Sequence, residues 1–235
     1  PIELVRGARG RAAALLWQPG SYTLSAANGR KTELSVASLP APLKLAGPWQ
    51  VDFSAGGGAP GRLTFPDLIS WADHDDQGVR FFSGSATYAK AFAAPPDLMA
   101  KGHRWFLDLG KVAVMAEVRL NGKPLGTLWK APFRIEVTGA LKPGDNALEV
   151  KVVNLWVNRQ IGDELLPEDS DRNPDGTLKK WPQWLEEGKP SPTGRHTFTS
   201  WRLWKKDSPL QESGLLGPVT ISAARQIPIA DGALR

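Results

Sequence analysis

The sequence predicts an all-β fold, a sandwich of the jelly-roll type, on three observations. The first is an alternation of apolar and polar side chains between residues 105 and 153. Trp105, Leu107 and Leu109 alternate with Phe106 and Asp108, and Ala116, Val118 and Leu120 with Glu117 and Arg119. Phe133, Ile135 and Val137 alternate with Arg134 and Glu136, and Leu148, Val150 and Val152 with Glu149 and Lys151. A strand turns successive side chains to opposite faces, so this period marks strands with one face buried and one wet. The second observation is the punctuation. Asn121-Gly122 fits a type I′ hairpin turn, whose two central positions need positive φ, and Pro143-Gly144-Asp145-Asn146 is a second reversal. The third is register: a slip of one residue in these runs would put Glu or Lys into the core.

The remaining elements follow in chain order. Residues 13–18, 21–26 and 31–37 are short strand-like runs separated by Pro19-Gly20 and Asn28-Gly29. Such a β meander is too small to bury its own face and is expected to pack on the next domain or on one upstream. Leu39-Pro40-Ala41-Pro42 closes it, which divides the chain into a meander at 1–42, a main domain at 43–225 and a frayed tail from 226 to 235. Residues 49–53 form the first strand of the main domain. The glycine-rich 54–61 is not a phosphate loop, because no Gly-Lys-Ser/Thr follows. Residues 63–65 read as a short strand and 78–92 as a longer one. Gly84-Ser85-Ala86 lacks the Gly-x-Ser-x-Gly frame of a nucleophile elbow. A connection at 95–102 leads into the central strands.

Beyond residue 153 the period breaks. Residues 154–196 read as one long loop rich in Pro, Gly, Asp, Glu and Trp. Loops longer than about 12–15 residues are usually functional or disordered, and Trp156, Trp181 and Trp184 argue for order. A helical turn is expected within 178–185, strand-like alternation over 201–205 and a last strand over 219–223.

Composition narrows the function. The 235 residues carry no cysteine, which excludes disulfides, thiolate metal sites and a cysteine nucleophile. No apolar run approaches the ~18 residues of a membrane-spanning helix, so no membrane partner is expected. The net charge of +5 is scattered, with Lys179-Lys180 and Lys205-Lys206 as its tight groups. No zinc-finger, helix-turn-helix or RNA-recognition signature accompanies it, so no nucleic-acid partner is expected either. The chain opens at Pro1 with no signal-peptide pattern, and by entering a strand almost at once it reads as part of something longer. Ten tryptophans supply ample core, each burying roughly 150–250 Å² when inside. An exposed indole would instead offer a platform to the C–H face of a sugar.

Three constellations can carry chemistry. Trp71, Asp73 and His74 join an aromatic to hydrogen-bonding side chains, as sugar sites do, and a solvated acidic loop is the other reading. Trp156, Asn158, Arg159, Asp163 and Glu164 combine an indole with a fork-shaped cation and carboxylates. That set suits recognition of sugar hydroxyls, or equally a salt-bridge network that docks the domain on a neighbour. Asp171, Asn173 and Asp175, followed by Gly176, fit the first half of a calcium loop. The bidentate Glu expected at its twelfth position is replaced by Pro182, and an Asx-rich turn is the alternative. Apart from calcium no cofactor is implied, and His74, His103 and His196 have no metal-ligand spacing. Glycosidic cleavage needs two carboxyls about 5–9.5 Å apart. Asp163-Glu164 and Glu186-Glu187 are sequence neighbours and make no convincing pair.

Leu107-Asp108-Leu109-Gly110, the run Ala116-Glu117-Val118-Arg119-Leu120-Asn121-Gly122-Lys123-Pro124-Leu125-Gly126 and Leu141-Lys142-Pro143-Gly144-Asp145-Asn146 resemble the sugar-binding jelly roll of family 2-type glycoside hydrolases, a galactose-binding-like fold. Asn154-Leu155-Trp156-Val157-Asn158-Arg159-Gln160-Ile161-Gly162-Asp163-Glu164, Thr197-Phe198-Thr199-Ser200-Trp201 and Ser213-Gly214-Leu215-Leu216-Gly217-Pro218-Val219 resemble the C-terminal end of family 106 glycoside hydrolases, the α-L-rhamnosidases. The resemblance implies a non-catalytic module that supports an upstream catalytic barrel and contacts carbohydrate, in a bacterial protein of the periplasm or outside the cell. The rivals are an independent lectin-like binding module and a hydrolase active as it stands.

Overall fold

A computed structural model of the chain describes residues 2–7, 10–96 and 102–229. The first strands are β1 (Ile2–Arg6), β2 (Ala12–Leu16), β3 (Gly20–Ser25) and β4 (Lys31–Val36). The main sandwich begins with β5 (Leu43–Lys44), β6 (Trp49–Phe53) and β7 (Arg62–Phe65). A 3-10 turn at Trp71–Asp73 and α1 (Gln77–Arg80) precede β8 (Ser85–Ala94) and β9 (His103–Asp108). Then come β10 (Lys111–Ala113), β11 (Met115–Leu120), β12 (Lys123–Leu128), β13 (Arg134–Glu136) and β14 (Gly144–Val153). After them lie α2 (Val157–Asp163), α3 (Gln183–Glu186), β15 (Gly214–Gly217) and β16 (Thr220–Pro228).

Two six-stranded antiparallel sheets form the sandwich. One has the order β12-β11-β14-β8-β6-β7, and the other β1-β2-β16-β9-β13, with β5 beside β16. The period of two does what it should. On β11 and β14, Val118 lies opposite Val150 and Leu120 opposite Leu148, and all four are buried. The Asn121-Gly122 turn has φ of 53° and 77°, as a type I′ hairpin requires. Asn146 closes the second reversal, accepting from the Lys142 N–H and donating to the Lys142 carbonyl. Trp49, Tyr88, Trp105 and Leu107 fill the space between the sheets.

Several local expectations need correction. Ile135 is only partly buried, because β13 is a three-residue edge strand. Phe106 does not face water: it packs with Leu15 and Ala224 and lies 4.7 Å from the Trp17 ring. β2 is thus buried on both sides, its other face joining Ala14 and Leu16 to Leu34 and Val36 of β4. Residues 78–84 are not strand. Asp76 Oδ1 accepts from the Val79 N–H and caps α1, so the strand starts only at Ser85. Gln226 to Pro228 are not a frayed tail either, since β16 continues through them and pairs with Leu15 to Ala13 of β2. Residues 97–101 of the expected connection and 230–235 of the tail lie outside the described residues. The irregular stretch after β14 runs to Ser213 and not to 196, because 201–205 alternate in exposure without making a strand.

Candidate functional site

The residues singled out after β14 gather around α2. The helix forms once the period of two ends at Val153, and it buries Asn158, Arg159, Ile161, Gly162 and Asp163. Gly162 permits a close approach: a Cβ there would stand 2.6 Å from Phe81 Cγ. Buried polar groups must find partners, and several around α2 find them across the fold, whereas Arg159 Nε and Asp163 Oδ1 meet only as an ion pair. Asn158 Nδ2 donates to the Gln211 carbonyl (2.7 Å) and to Ser213 Oγ (3.1 Å), and its Oδ1 accepts from the Gln211 N–H. Asn154 Nδ2 donates to the Phe82 carbonyl (2.8 Å) and to Ser213 Oγ (3.2 Å). The Ser213 N–H donates to Ser70 Oγ at 3.1 Å. Ser213 therefore ties the 70–76 segment, the entry to α2 and the start of β15 together.

Arg159 Nε lies 3.1 Å from Asp163 Oδ1 one helical turn on, with both side chains almost wholly buried. Burial lowers the Arg159 guanidinium from its ordinary value, with the Asp163 charge opposing that shift. The second carboxylate oxygen of Asp163 accepts from the His196 N–H (3.0 Å), the Thr197 N–H (2.7 Å) and Thr197 Oγ1 (2.7 Å). Asp163 is a clamp that holds the far end of the long loop against α2. Next to it, Glu164 Oε1 meets Arg195 Nη1 at 2.9 Å and Arg202 Nε at 3.1 Å. Arg202 also forks onto Glu168 at 2.6 and 2.5 Å, which holds that carboxyl below the usual range. The cavity among Asp163, Glu164, Asp169, Arg172, Arg195 and Arg202 encloses about 20 Å³. That is room for about one water and not for a sugar ring.

The other candidates are placed differently. Trp71 is fully buried, with its indole N–H donating to the Tyr88 hydroxyl at 2.6 Å, so it offers no stacking platform. Burial pushes the Tyr88 phenol up to about 12. Asp73 is exposed. His74 stacks on Phe65 at 5.2 Å, and its Nδ1 accepts from the Asp76 N–H. Trp156 is the exposed member of its set, at 61%. The two sets therefore do not face a common cleft, although Ser70 and Ser213 link their backbones.

The 171–177 loop closes on itself. Asp175 Oδ1 accepts from the Thr177 N–H (3.0 Å) and Thr177 Oγ1 (2.7 Å), Asn173 Nδ2 donates to Thr177 Oγ1, and Asp171 pairs with Lys180 at 3.5 Å. These are the contacts of an Asx-rich turn, and they engage Asp175 Oδ1 and Asp171 Oδ2 within the loop and its flank. Among the described residues no three His, Asp or Glu side chains are grouped to hold a metal ion.

Sequence reasoning passed over Ser70, Ser83, Ser213, Glu168, Arg195 and Arg202. Ser213 alone lies in one of the stretches quoted above, 213–219, and the others carried no signal there. Spacing alone does not show that a serine 55 residues away will meet Asn158.

Comparison with known proteins adds the following. Residues 66–182 match the family described as the glycosyl hydrolase 2 galactose-binding domain-like family. A candidate beta-glucuronidase of Formosa agariphila is 46% identical over 204 residues, covering 87% of this chain and 18% of that protein. The structure of the rhamnosidase from Novosphingobium sp. PP1Y aligns with a TM-score of 0.63 at 25% identity, over 95% of this chain and 24% of that one. The Bifidobacterium dentium beta-glucuronidase complexed with coumarin-3-O-glucuronide aligns with a TM-score of 0.52 at 25% identity, over 82% of this chain and 31% of that one. The chain spans less than a third of the length of each of these relatives.

Proposed function

We propose that this chain, which carries a galactose-binding-like domain of the glycoside hydrolases, is the non-catalytic C-terminal β-sandwich module of an α-L-rhamnosidase-like enzyme. Its work in this reading is to support the catalytic part of the same protein. The observation that carries the reading is the extent of the rhamnosidase alignment, 95% of the chain. Coverage so complete takes in the first strands and the irregular stretch after β14, whereas the family match ends at residue 182.

The chemistry of the site supports a scaffold. A glycosidase keeps one carboxyl protonated near neutral pH by raising its pKa. Arginine and other local partners instead hold Glu136 and Glu168 below their ordinary values. Asp163, Glu164 and Glu168 spend their oxygens on arginines and backbone N–H groups. Among the candidates, Trp156 keeps the exposed indole that a sugar ring needs. Titration of rhamnose and galactose into the protein, with Trp156→Ala as control, tests the lectin-like alternative.

The 46% identity to a candidate beta-glucuronidase favours a second reading of the parent's specificity. Assay of the full-length gene product on aryl α-L-rhamnosides and aryl β-D-glucuronides separates the two. Rhamnoside turnover is expected, and turnover of glucuronides alone moves the parent to the second class. We propose with it a location in the periplasm or outside the cell, which cell fractionation tests.

A further inference from the structure

Among the described residues eight large apolar side chains are more than half exposed; Leu4 and Trp129 lie elsewhere, and six, Leu155, Trp156, Leu165, Trp181, Trp201 and Leu203, fall between β14 and β15. Three of them belong to one irregular ribbon. Arg172 bridges to Leu178 and Thr177 to Trp201, while the Leu178 N–H donates to the Ser200 carbonyl and the Arg202 N–H to the Gly176 carbonyl. Along residues 201–204 exposure alternates: Arg202 turns inward to Glu164 and Glu168, and Trp201 and Leu203 turn out. Trp181, at the end of the opposite arm, lies 5.7 Å from the Phe198 ring.

These side chains are exposed but not loose. Trp201 Nε1 donates to the Asp175 carbonyl at 3.2 Å. The ribbon beneath is fixed by the carboxylate–arginine contacts of Glu164 and Glu168 and by Arg172 Nη2, which donates to the Thr199 carbonyl. A fixed, exposed, tryptophan-rich surface is what binding hot spots are made of, because little rotamer freedom remains to be lost when a partner covers it. Lys180 pairs with Asp171, and the exposed Lys179, Lys205 and Lys206 give the patch a basic rim. The occupant it suits is therefore a protein surface with an apolar centre and a polar or acidic edge.

We infer that Trp181, Trp201 and Leu203 form the seat on which the catalytic part of the chain's own polypeptide packs. The occupant follows from length: this chain covers 24% of the aligned rhamnosidase and 18% of the curated relative, so most of such a protein lies outside it. The inference rests on the module reading above and deepens it by naming the contact surface.

Hydroxyl-radical footprinting of the full-length gene product, read by mass spectrometry, tests it. Trp129, 69% exposed on the β12–β13 connection, serves as the internal reference. Trp181 and Trp201 are 57% and 56% exposed here and should label several-fold more slowly than Trp129 once the catalytic part is present. Labelling at the rate of Trp129 overturns the inference. So does protection that appears only when sugar is added, which makes the ribbon a carbohydrate platform, or protection lost on dilution, which makes the occupant a second copy. Aryl-glycoside turnover by the same sample is read separately. Turnover with unprotected tryptophans sinks the seat and leaves the module reading standing, whereas absence of turnover on any aryl glycoside sinks that reading.

Discussion

The sandwich and the stretch between β14 and β15 solve the same problem by opposite means. The sandwich buries apolar side chains between two sheets, with Trp49, Val51, Tyr88, Val118, Val150 and Val152 all at 1% exposure or less. The stretch after it has few such residues. It is held by Asn158, Asp163, Glu164, Glu168, Arg195 and Arg202, each bonded to a group distant in sequence. Apolar burial is non-directional and adds up with area. A polar knot depends on each of its partners, and removing one leaves others buried without a bond. The first design gives a robust body. The second gives a shaped, rigid surface that leaves its tryptophans free for contact.

The largest expected effect breaks the robust half. Val150 sits on β14 between Val118 and Tyr88 and is fully buried. Val150→Asp puts an unpaired carboxylate there and should cost at least about 3–5 kcal/mol, abolishing cooperative thermal unfolding. Near-wild-type melting would contradict the placement of the core.

Next comes a cut through the knot. Asp163→Ala leaves Arg159 charged and buried with no counter-ion and strips the partners from the His196 and Thr197 N–H groups. Removing one partner of a buried pair costs about 3–5 kcal/mol. The loss should be local: hydrogen exchange should rise across residues 157–202 while β8, β11 and β14 stay protected. Equal loss in both regions would show that they unfold as one unit.

A smaller effect is set by pH. Arg202 holds Glu168 below the ordinary carboxylate range. A carboxyl depressed in the folded state adds stability that is full above its unfolded value near pH 4.3 and is lost as pH falls through the folded value. Acid should therefore loosen the stretch after β14, and Glu168→Gln should flatten that acid limb. Because Glu168 is more than half exposed, the change should stay below about 1 kcal/mol. An unchanged limb would assign the dependence to other carboxyls.

The smallest effect concerns calcium. With Asp175 Oδ1 engaged by Thr177 and Asp171 paired to Lys180, melting curves in excess calcium and in chelator should coincide. A clear upward shift with calcium would restore the 171–177 loop as a cation site.

The same contrast explains what could be read from sequence. The period of two over 116–120 and 148–152 and the Asn121-Gly122 turn encode strand, register and reversal locally, so the galactose-binding-like body was legible. Phe106 and Gln226 were misplaced because what covers them, Trp17 and β2, comes from some 90 and 210 residues away. Trp71 looked like a sugar platform because an aromatic beside Asp and His reads alike whether buried or open. Its burial depends on Tyr88, which no local pattern reveals. Arg159 and Asp163 were legible as an i, i+4 pair on a helix only after the helix was known, since the stretch read as loop.

On the proposed reading this chain scaffolds and does not cleave. The most direct test is aryl-rhamnoside turnover by the purified 235-residue chain, with its fold checked by circular dichroism, beside the full-length gene product. Turnover is expected from the full-length protein and none from the chain. Turnover by the chain itself, abolished by a single Asp or Glu substitution within it, would contradict that reading.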